Sequence, residues 1–330
     1  MDNKKKKLGQ YFTKKDIWLR PQIIDFIKKS KCTIAYDPFA GNGDLLRISK
    51  EYGIKETKGL DIDTNLHWQI NDSLTNIPHI DDAIIITNPP YLTKYSASRK
   101  KIKIEKEYFK NHTDLYQLAI DKILESQDYA VAIVPETYIN SKYFEKNLSR
   151  VYSVTILTQN PFDDTENPVC VVCFDNIEKI PPKVKVYIDD EYLNVYSYFK
   201  ELRLTPKNQY SIRFNVKNGV LALRAVDLTS KDKKIKFYES SELNYNLNRI
   251  GNSSRLITII DLDCSDIDIK ELVQECNRLL EDYRNKTKDV TLSPFKGNTK
   301  EGKRRRRLDY RTARSIIEQA ISNIKEGNYA

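Results

Sequence analysis

Asn88, Pro89, Pro90 and Tyr91 follow directly on the apolar run Ala83-Ile84-Ile85-Ile86-Thr87. An amide, two stiff prolines and a flat ring in succession suit one kind of chemistry. The exocyclic amino group of a base such as adenine delocalises its lone pair into the ring. It attacks a methyl group only if both N–H groups find acceptors and the nitrogen can pyramidalise. The Asn88 side-chain oxygen and the Pro89 carbonyl can be those acceptors. Proline fixes φ and carries no N–H, so the turn is stiff and its carbonyls cannot retreat into a helix. Tyr91 offers a face on which a planar base can stack. A plain Pro-Pro turn after a buried strand would show the same four residues.

Three carboxylates precede this turn at spacings that suit a nucleoside-bearing ligand. Asp37-Pro38-Phe39-Ala40-Gly41-Asn42-Gly43 is a tight glycine loop between an expected strand and an expected helix. It is neither the dinucleotide GxGxxG nor a P-loop with its Lys-Ser/Thr. Asp37 suits a ligand that carries an ammonium group. Asp61, followed by Ile62 at the end of the next strand, can accept from two ribose hydroxyls. Asp72, followed by Ser73, can accept from an adenine amino group. Each of these aspartates could equally be a strand-end or turn residue; their order is what adds meaning.

The positioning elements follow from periodicity. Helical spacing covers 22–29, 44–52 and 115–126, and short apolar strands cover 33–36, 58–62, 81–87, 129–134, 154–157 and 169–174. Strands alternating with helices predict a doubly wound α/β domain. A Pro-Pro linker is expected at 177–183. Beyond it the alternation dissolves into a second, mixed α/β domain, with strands at 183–188, 219–226, 234–238 and 256–262. Helices are expected at 269–286 and 312–326, and residues 291–307 read as a loop with a basic end. The expected domains are therefore 1–178 and 179–330.

The 330 residues carry a net charge of +9, which favours an acidic partner. Residues 284–330 hold 13 Lys/Arg against 5 Asp/Glu, as duplex DNA would require, although a solvated basic surface has the same composition. No apolar run reaches membrane-spanning length, and no apolar segment follows the N-terminal lysines, so a signal peptide is not expected. Five cysteines without a second CxxC, and three histidines, predict reduced thiols, no metal site and a cytoplasmic protein.

The series of motifs resembles the gamma group of DNA adenine-N6 methyltransferases, with the match covering about the first half of the chain. Gly9-Gln10-Tyr11-Phe12-Thr13 matches that family's N-terminal motif, Asp37–Gly43 its cofactor loop, Asp61 its ribose clamp, Asp72 its adenine contact and Asn88–Tyr91 its catalytic turn. His112–Tyr116 and Ile133–Thr137 fall where the family has a helix start and a strand end. Phe162 falls where the family places an aromatic against the flipped base; it could instead be a hydrophobic staple beside the following strand. The resemblance implies a Rossmann-like class I domain with a mixed, mainly parallel sheet, followed by a target-recognition domain. It implies S-adenosylmethionine as cofactor, held by Gln10, Tyr11, Thr13, Asp37, Pro38, Ala40, Gly41, Gly43, Asp61, Ile62, Asp72, Ser73 and Asn88. Asn88, Pro89, Pro90 and Tyr91 are then catalytic, Tyr91 and Phe162 stack on the target base, and Arg304, Arg305, Arg306, Arg307, Arg311 and Arg314 are candidates for DNA contact. Double-stranded DNA is the expected partner, a cognate restriction endonuclease the functional one, and a monomer the expected state on DNA. Methylation of RNA adenine, of cytosine N4 or of a release-factor glutamine uses related turns, and a non-catalytic DNA-reading subunit could keep the fold. The N-terminal motif and the basic C-terminal half speak against the glutamine enzymes.

Overall fold

The computed structural model describes residues 16–102, 105–162, 165–177, 183–230, 233–246, 248, 250, 256–263 and 266–327. The chain divides into two compact units, Met1–Tyr196 and Ser197–Ala330.

In the first unit the strands are β1 (Ile34–Asp37), β2 (Glu56–Asp61), β3 (Gln69–Ile70), β4 (Ala83–Thr87), β5 (Tyr129–Pro135), β6 (Val151–Ile156), β7 (Val169–Phe174), β8 (Lys185–Ile188) and β9 (Glu191–Val195). Its helices are α1 (Pro21–Ser30), α2 (Asp44–Glu51), α3 (Lys94–Arg99), α4 (Leu115–Ser126) and α5 (Lys142–Lys146). One sheet holds all nine strands in the order β3-β2-β1-β4-β5-β7-β6-β8-β9. Strands β3 to β5 are parallel to their neighbours. Strand β7 is antiparallel between β5 and β6, β8 returns parallel to β6, and β9 is antiparallel at the edge. Every residue of β4 and β7 is buried, which is why both read as unbroken apolar runs: each lies inside the sheet with both of its faces covered, β4 between parallel neighbours and β7 between antiparallel ones. Cys170 and Cys173, three apart on β7, are accordingly both buried.

Helix α4 shows how local sequence sets an element. Leu115, Tyr116, Ala119, Ile120 and Ile123 form its buried stripe at helical spacing, and Asp114 with Gln117 makes a capping box at its start. The strand order reverses at β1, which lies between β2 and β4. In such a sheet the loops leaving the carboxyl ends of the two central strands diverge to opposite faces and leave a crevice. Here those ends are Asp37 and Thr87, so the glycine loop and the Asn88–Tyr91 turn open side by side.

The first unit runs past the boundary expected at residue 178, because β8 and β9 add to its sheet. The Pro-Pro linker itself lies outside the described residues. The second unit has a four-stranded antiparallel sheet, β10 (Ile212–Phe214), β11 (Leu221–Arg224), β12 (Lys236–Glu239) and β13 (Ile257–Leu262), in the order β10-β13-β11-β12. Helices α6 (Ile269–Thr287) and α7 (Tyr310–Lys325) share one core with it, in which Leu221, Phe237 and Ile260 meet Leu272, Ile317 and Ile321. Residues 291–307, expected as a loop, instead contain a hairpin of β14 (Ser293–Asn298) and β15 (Arg304–Arg307). Gly302 supplies a positive φ of 79° at its bend, and Gly297, with φ of 71°, lies in β14 where the register shifts.

Candidate active site

Asp37 ends β1 fully buried. Its Oδ1 accepts the Thr87 hydroxyl at 2.6 Å and the Phe39 N–H at 3.0 Å. Burial pushes its carboxyl up to about 7, the Thr87 hydroxyl and the Phe39 N–H hold it down, and nearby Asp61 raises it further. One carboxylate thus ties the end of β1 to the end of β4, across the point where the strand order reverses.

Asp61, at the end of β2, supports the same loop from the other side. Its Oδ2 accepts the Gly41 N–H and its Oδ1 the Asp63 N–H, each at 2.8 Å. Each carboxylate oxygen has a second lone-pair direction, so these bonds leave capacity for ribose hydroxyls. Ile62 beside it is 57% exposed, an apolar surface next to a polar clamp. Gly41 and Gly43 have φ of 51° and 80°, and the backbone of Ala40 bonds Leu60 and Gly43. The loop residues Pro38, Ala40, Gly41 and Gly43 therefore sit with Asp61 and Ile62 at one mouth. The donor set fits S-adenosylmethionine: glycine backbone for close approach, a carboxylate at the second strand end, and an exposed aliphatic group for a purine.

Sequence reasoning missed Trp68. Its indole N–H donates to the Gly41 carbonyl at 2.8 Å, so the Gly41 peptide is held at both ends, by Asp61 and by Trp68. The ring also fills the space of two absent side chains: a Cβ on Gly43 would lie 2.8 Å from it and one on Gly59 2.5 Å. The visible signal was a pair of glycines, one in the loop and one in the next strand, followed by a lone tryptophan.

Asp72 is committed locally. Its carboxylate accepts the Leu74 N–H at 3.1 Å, the Thr75 hydroxyl at 2.8 Å and the Tyr108 hydroxyl, while Ser73 is buried and bonded to Asn71. Burial and that carboxylate push the Tyr108 phenol up to about 12. An adenine amino group would share Asp72 with these partners.

In the catalytic-turn candidate, Pro89 and Pro90 carry the chain from Asn88 to Tyr91, whose hydroxyl meets the Asn88 side-chain oxygen and the Ile133 carbonyl, the latter at 2.7 Å. The open stacking face expected of Tyr91 is not presented in this conformation. The ring is 8% exposed, with Tyr116 and Phe162 edge-on at 6.2 Å each. Phe162 is itself buried. The two expected base-stacking rings are together, but against each other. Beside the turn, between α3 and the start of α4, lies a cavity of about 630 Å³ lined by Thr93, Tyr95, Ser98, Asp114, Tyr116 and Thr137 among others, within the range of small-ligand sites.

Gln10, Tyr11 and Thr13 lie outside the described residues. The basic candidates lie in the second unit, where only some were expected to touch DNA and the rest to be solvated; the structure instead buries two of them. Arg304 and Arg306 are buried, Arg306 being 2% exposed, while Arg305 and Arg307 alternate with them as a strand requires. Asp227 anchors the strand: it accepts the Arg306 N–H, its carbonyl accepts Arg305 Nε, and Arg284 grips its carboxylate at 3.0 and 2.9 Å. Arg305 also lies over the Phe295 ring, and Arg314 donates to the Ile212 carbonyl. Arg311 is exposed. Among the described residues no group of His, Cys, Asp and Glu could hold a metal ion, and no helix is long and apolar enough to cross a membrane.

Residues 48–160 match the Eco57I restriction-modification methylase family. A modification methylase, CviBIII, of Paramecium bursaria Chlorella virus NC1A is 21% identical over 278 residues, covering 77% of this chain and 71% of that protein. A class I S-adenosylmethionine-dependent methyltransferase structure from Listeria monocytogenes is 14% identical, with a TM-score of 0.39 over 54% of this chain and 66% of its own. A type I restriction-modification methyltransferase subunit from Streptococcus thermophilus is 16% identical, with a TM-score of 0.40 over 54% of this chain and 47% of its own. This chain thus spans less than two thirds of either solved protein. Because both TM-scores are below 0.5, the fold rests on the sheet order itself. By that order the chain has the class I methyltransferase fold, and across residues 48–160 it resembles the restriction-modification methylases.

Proposed function

We propose that this protein is a site-specific DNA methyltransferase that methylates adenine at N6, acting on a base flipped out of duplex DNA. The observation that carries the reading is the buried Thr87–Asp37 bond, which locks the ends of β4 and β1 together. It sets the Asn88–Tyr91 turn beside the glycine loop, so that an amino-group site and a cofactor site share one crevice. S-adenosylmethionine supplies a methyl group on a sulfonium. The chain's task is to position the nitrogen and draw electron density from its N–H groups. Asn88 Oδ1 and the Pro89 carbonyl accept those N–H groups while the N–C bond forms and the C–S bond breaks, and one N–H proton leaves to water. Neither a metal nor a covalent enzyme intermediate is needed for that balance.

Base extrusion requires the Tyr91–Phe162 edge contact to open, so that both rings can pack on the adenine. The second unit, residues 197–330, would read the DNA sequence, with Arg311 the exposed cation among the candidates. The protein would work in the cytoplasm, as a monomer on DNA, protecting that DNA from a cognate endonuclease. Sequencing that detects modified bases, applied to a host expressing this gene, tests the reading. N6-methyladenine at one recurring sequence supports it; N4-methylcytosine, or no new base modification, contradicts it.

A further inference from the structure

The segment that follows Tyr91 is not a free loop. Residues 92–94 run antiparallel to 113–115: Lys94 N–H donates to the Thr113 carbonyl at 2.9 Å, Leu115 N–H to the Leu92 carbonyl at 3.2 Å, and Thr93 bridges Asp114. Asp114 stands at the centre of this contact. Its Oδ1 accepts the Leu92 N–H at 2.8 Å, and the same side chain caps the first turn of α4. Its own N–H is taken by Gln117 Oε1 at 3.2 Å, which also accepts the Thr113 N–H and hydroxyl. Two residues beyond Asp114, Tyr116 packs edge-on against Tyr91. Asp114 also forms part of the wall of the cavity beside the turn. Burial pushes its carboxyl up to about 7, against the N–H groups of Leu92, Tyr116 and Leu115 that hold it down. A buried carboxylate whose oxygens are aimed at backbone N–H groups fixes the peptide it holds.

We infer that Asp114 is a positioning residue for methyl transfer: it clamps the backbone immediately after Tyr91 to the first turn of α4, and so fixes the orientation of Asn88 and Tyr91. The inference rests on the reading of Asn88–Tyr91 as the catalytic turn. It concerns the chemical step and not cofactor binding, because the glycine loop and Asp61 lie on other strands. Asparagine keeps an acceptor oxygen at this position, whereas alanine leaves the Leu92 N–H without its partner.

The test uses the full chain, S-adenosylmethionine and adenine-unmethylated genomic DNA, comparing Asp114→Ala, Asp114→Asn and Ile123→Ala. Ile123→Ala removes buried volume from the same helix, away from the turn, and reports what helix destabilisation alone does. The expected result is a fall in kcat of at least tenfold for Asp114→Ala, with KM for DNA and S-adenosylmethionine affinity within threefold of wild type. Asp114→Asn should recover kcat to within about threefold, and Ile123→Ala, compared at a temperature where all variants are folded, should keep it. If Asp114→Ala retains kcat, if asparagine fails to rescue, or if Ile123→Ala loses as much, Asp114 acts on the helix alone and the inference is overturned. If wild type transfers no methyl group to DNA, the catalytic reading of the turn fails first and takes this inference with it.

Discussion

The switch-point site of the first unit and the arginine strand of the second put the same chemical groups to opposite uses. In the first, buried carboxylates at two strand ends and one helix start hold backbone N–H groups: Asp61 holds Gly41, Asp37 holds Phe39, and Asp114 holds Leu92. In the second, a buried carboxylate, Asp227, holds the Arg284 guanidinium and the backbone of a strand. The first arrangement fixes loops that face a crevice. The second spends its charge internally, so a run of four arginines delivers only part of its charge to a partner.

The sharpest break of this comparison is at Asn88. Asn88→Ala should lower turnover by about 10²–10³, the scale of losing one oriented hydrogen-bonding group in a transition state, with DNA affinity within threefold of wild type. Single-turnover kinetics beside equilibrium DNA binding would show it. Retained turnover would leave the first region as a folding device like the second.

At Asp227 the expected loss is in stability. Asp227→Ala removes one of the two carboxylates that hold half-buried Arg284, together with the acceptor of the buried Arg306 N–H, and should cost about 1–3 kcal/mol, seen as early melting with the cofactor affinity of the first unit unaltered. A marginal shift would mean that the arginine strand is not held from within.

Cofactor affinity comes next. Asp61→Ala should weaken S-adenosylmethionine binding by about 1–3 kcal/mol. Trp68→Phe, which keeps the ring and loses its N–H, should cost about 0.5–1.5 kcal/mol, the net worth of one hydrogen bond. Calorimetry would rank the two. Equal, negligible effects would show that holding the Gly41 peptide does not matter for binding.

Much of the first region was legible because its devices are local. An apolar strand, a Pro-Pro turn and a glycine loop constrain the backbone whatever surrounds them, and β4, α4 and the loop lie where periodicity put them. Trp68 was not legible, since its role depends on Gly43 and Gly59 meeting the same ring. Strand β8, expected at 183–188 in the second domain, and β9, not anticipated, escaped for a related reason: strands at a sheet's margin are defined by what they pair with, here β6 and β8. Arg304–Arg307 read as a basic loop end because four arginines show no apolar alternation. Their burial depends on Asp227, Arg284 and the backbone of β14, distant in sequence.

The pH dependence of stability separates the two regions further. Asp37 and Asp114 are both pushed to about 7 when folded, above the ordinary carboxylate value of 3.8. Their contribution is therefore fully present below about pH 4 and is lost as pH rises through 7. Glu275 in the second unit is held below its ordinary value, chiefly by Arg278, so its contribution is present above that value and lost on acidification. Melting of wild type should thus weaken from pH 5 to pH 8 through the first unit, and Asp114→Asn should flatten that slope. An unchanged slope would contradict the burial argument.

The smallest effect is expected at Arg311. Arg311→Ala should leave stability unaltered and lower the salt slope of DNA binding by about one, if it meets a phosphate. Arg306→Ala should do the reverse, changing stability and not the slope. A slope change at Arg306 would mean that the inward arginines turn outward on DNA.

The central claim is tested most directly by incubating wild type and Asn88→Ala with duplex DNA and S-adenosylmethionine carrying a deuterated methyl group, then digesting the DNA to nucleosides for mass spectrometry. The account predicts deuterated N6-methyladenine from wild type and at most a trace from Asn88→Ala. Label in cytosine or in protein, or equal adenine labelling by both enzymes, would contradict it.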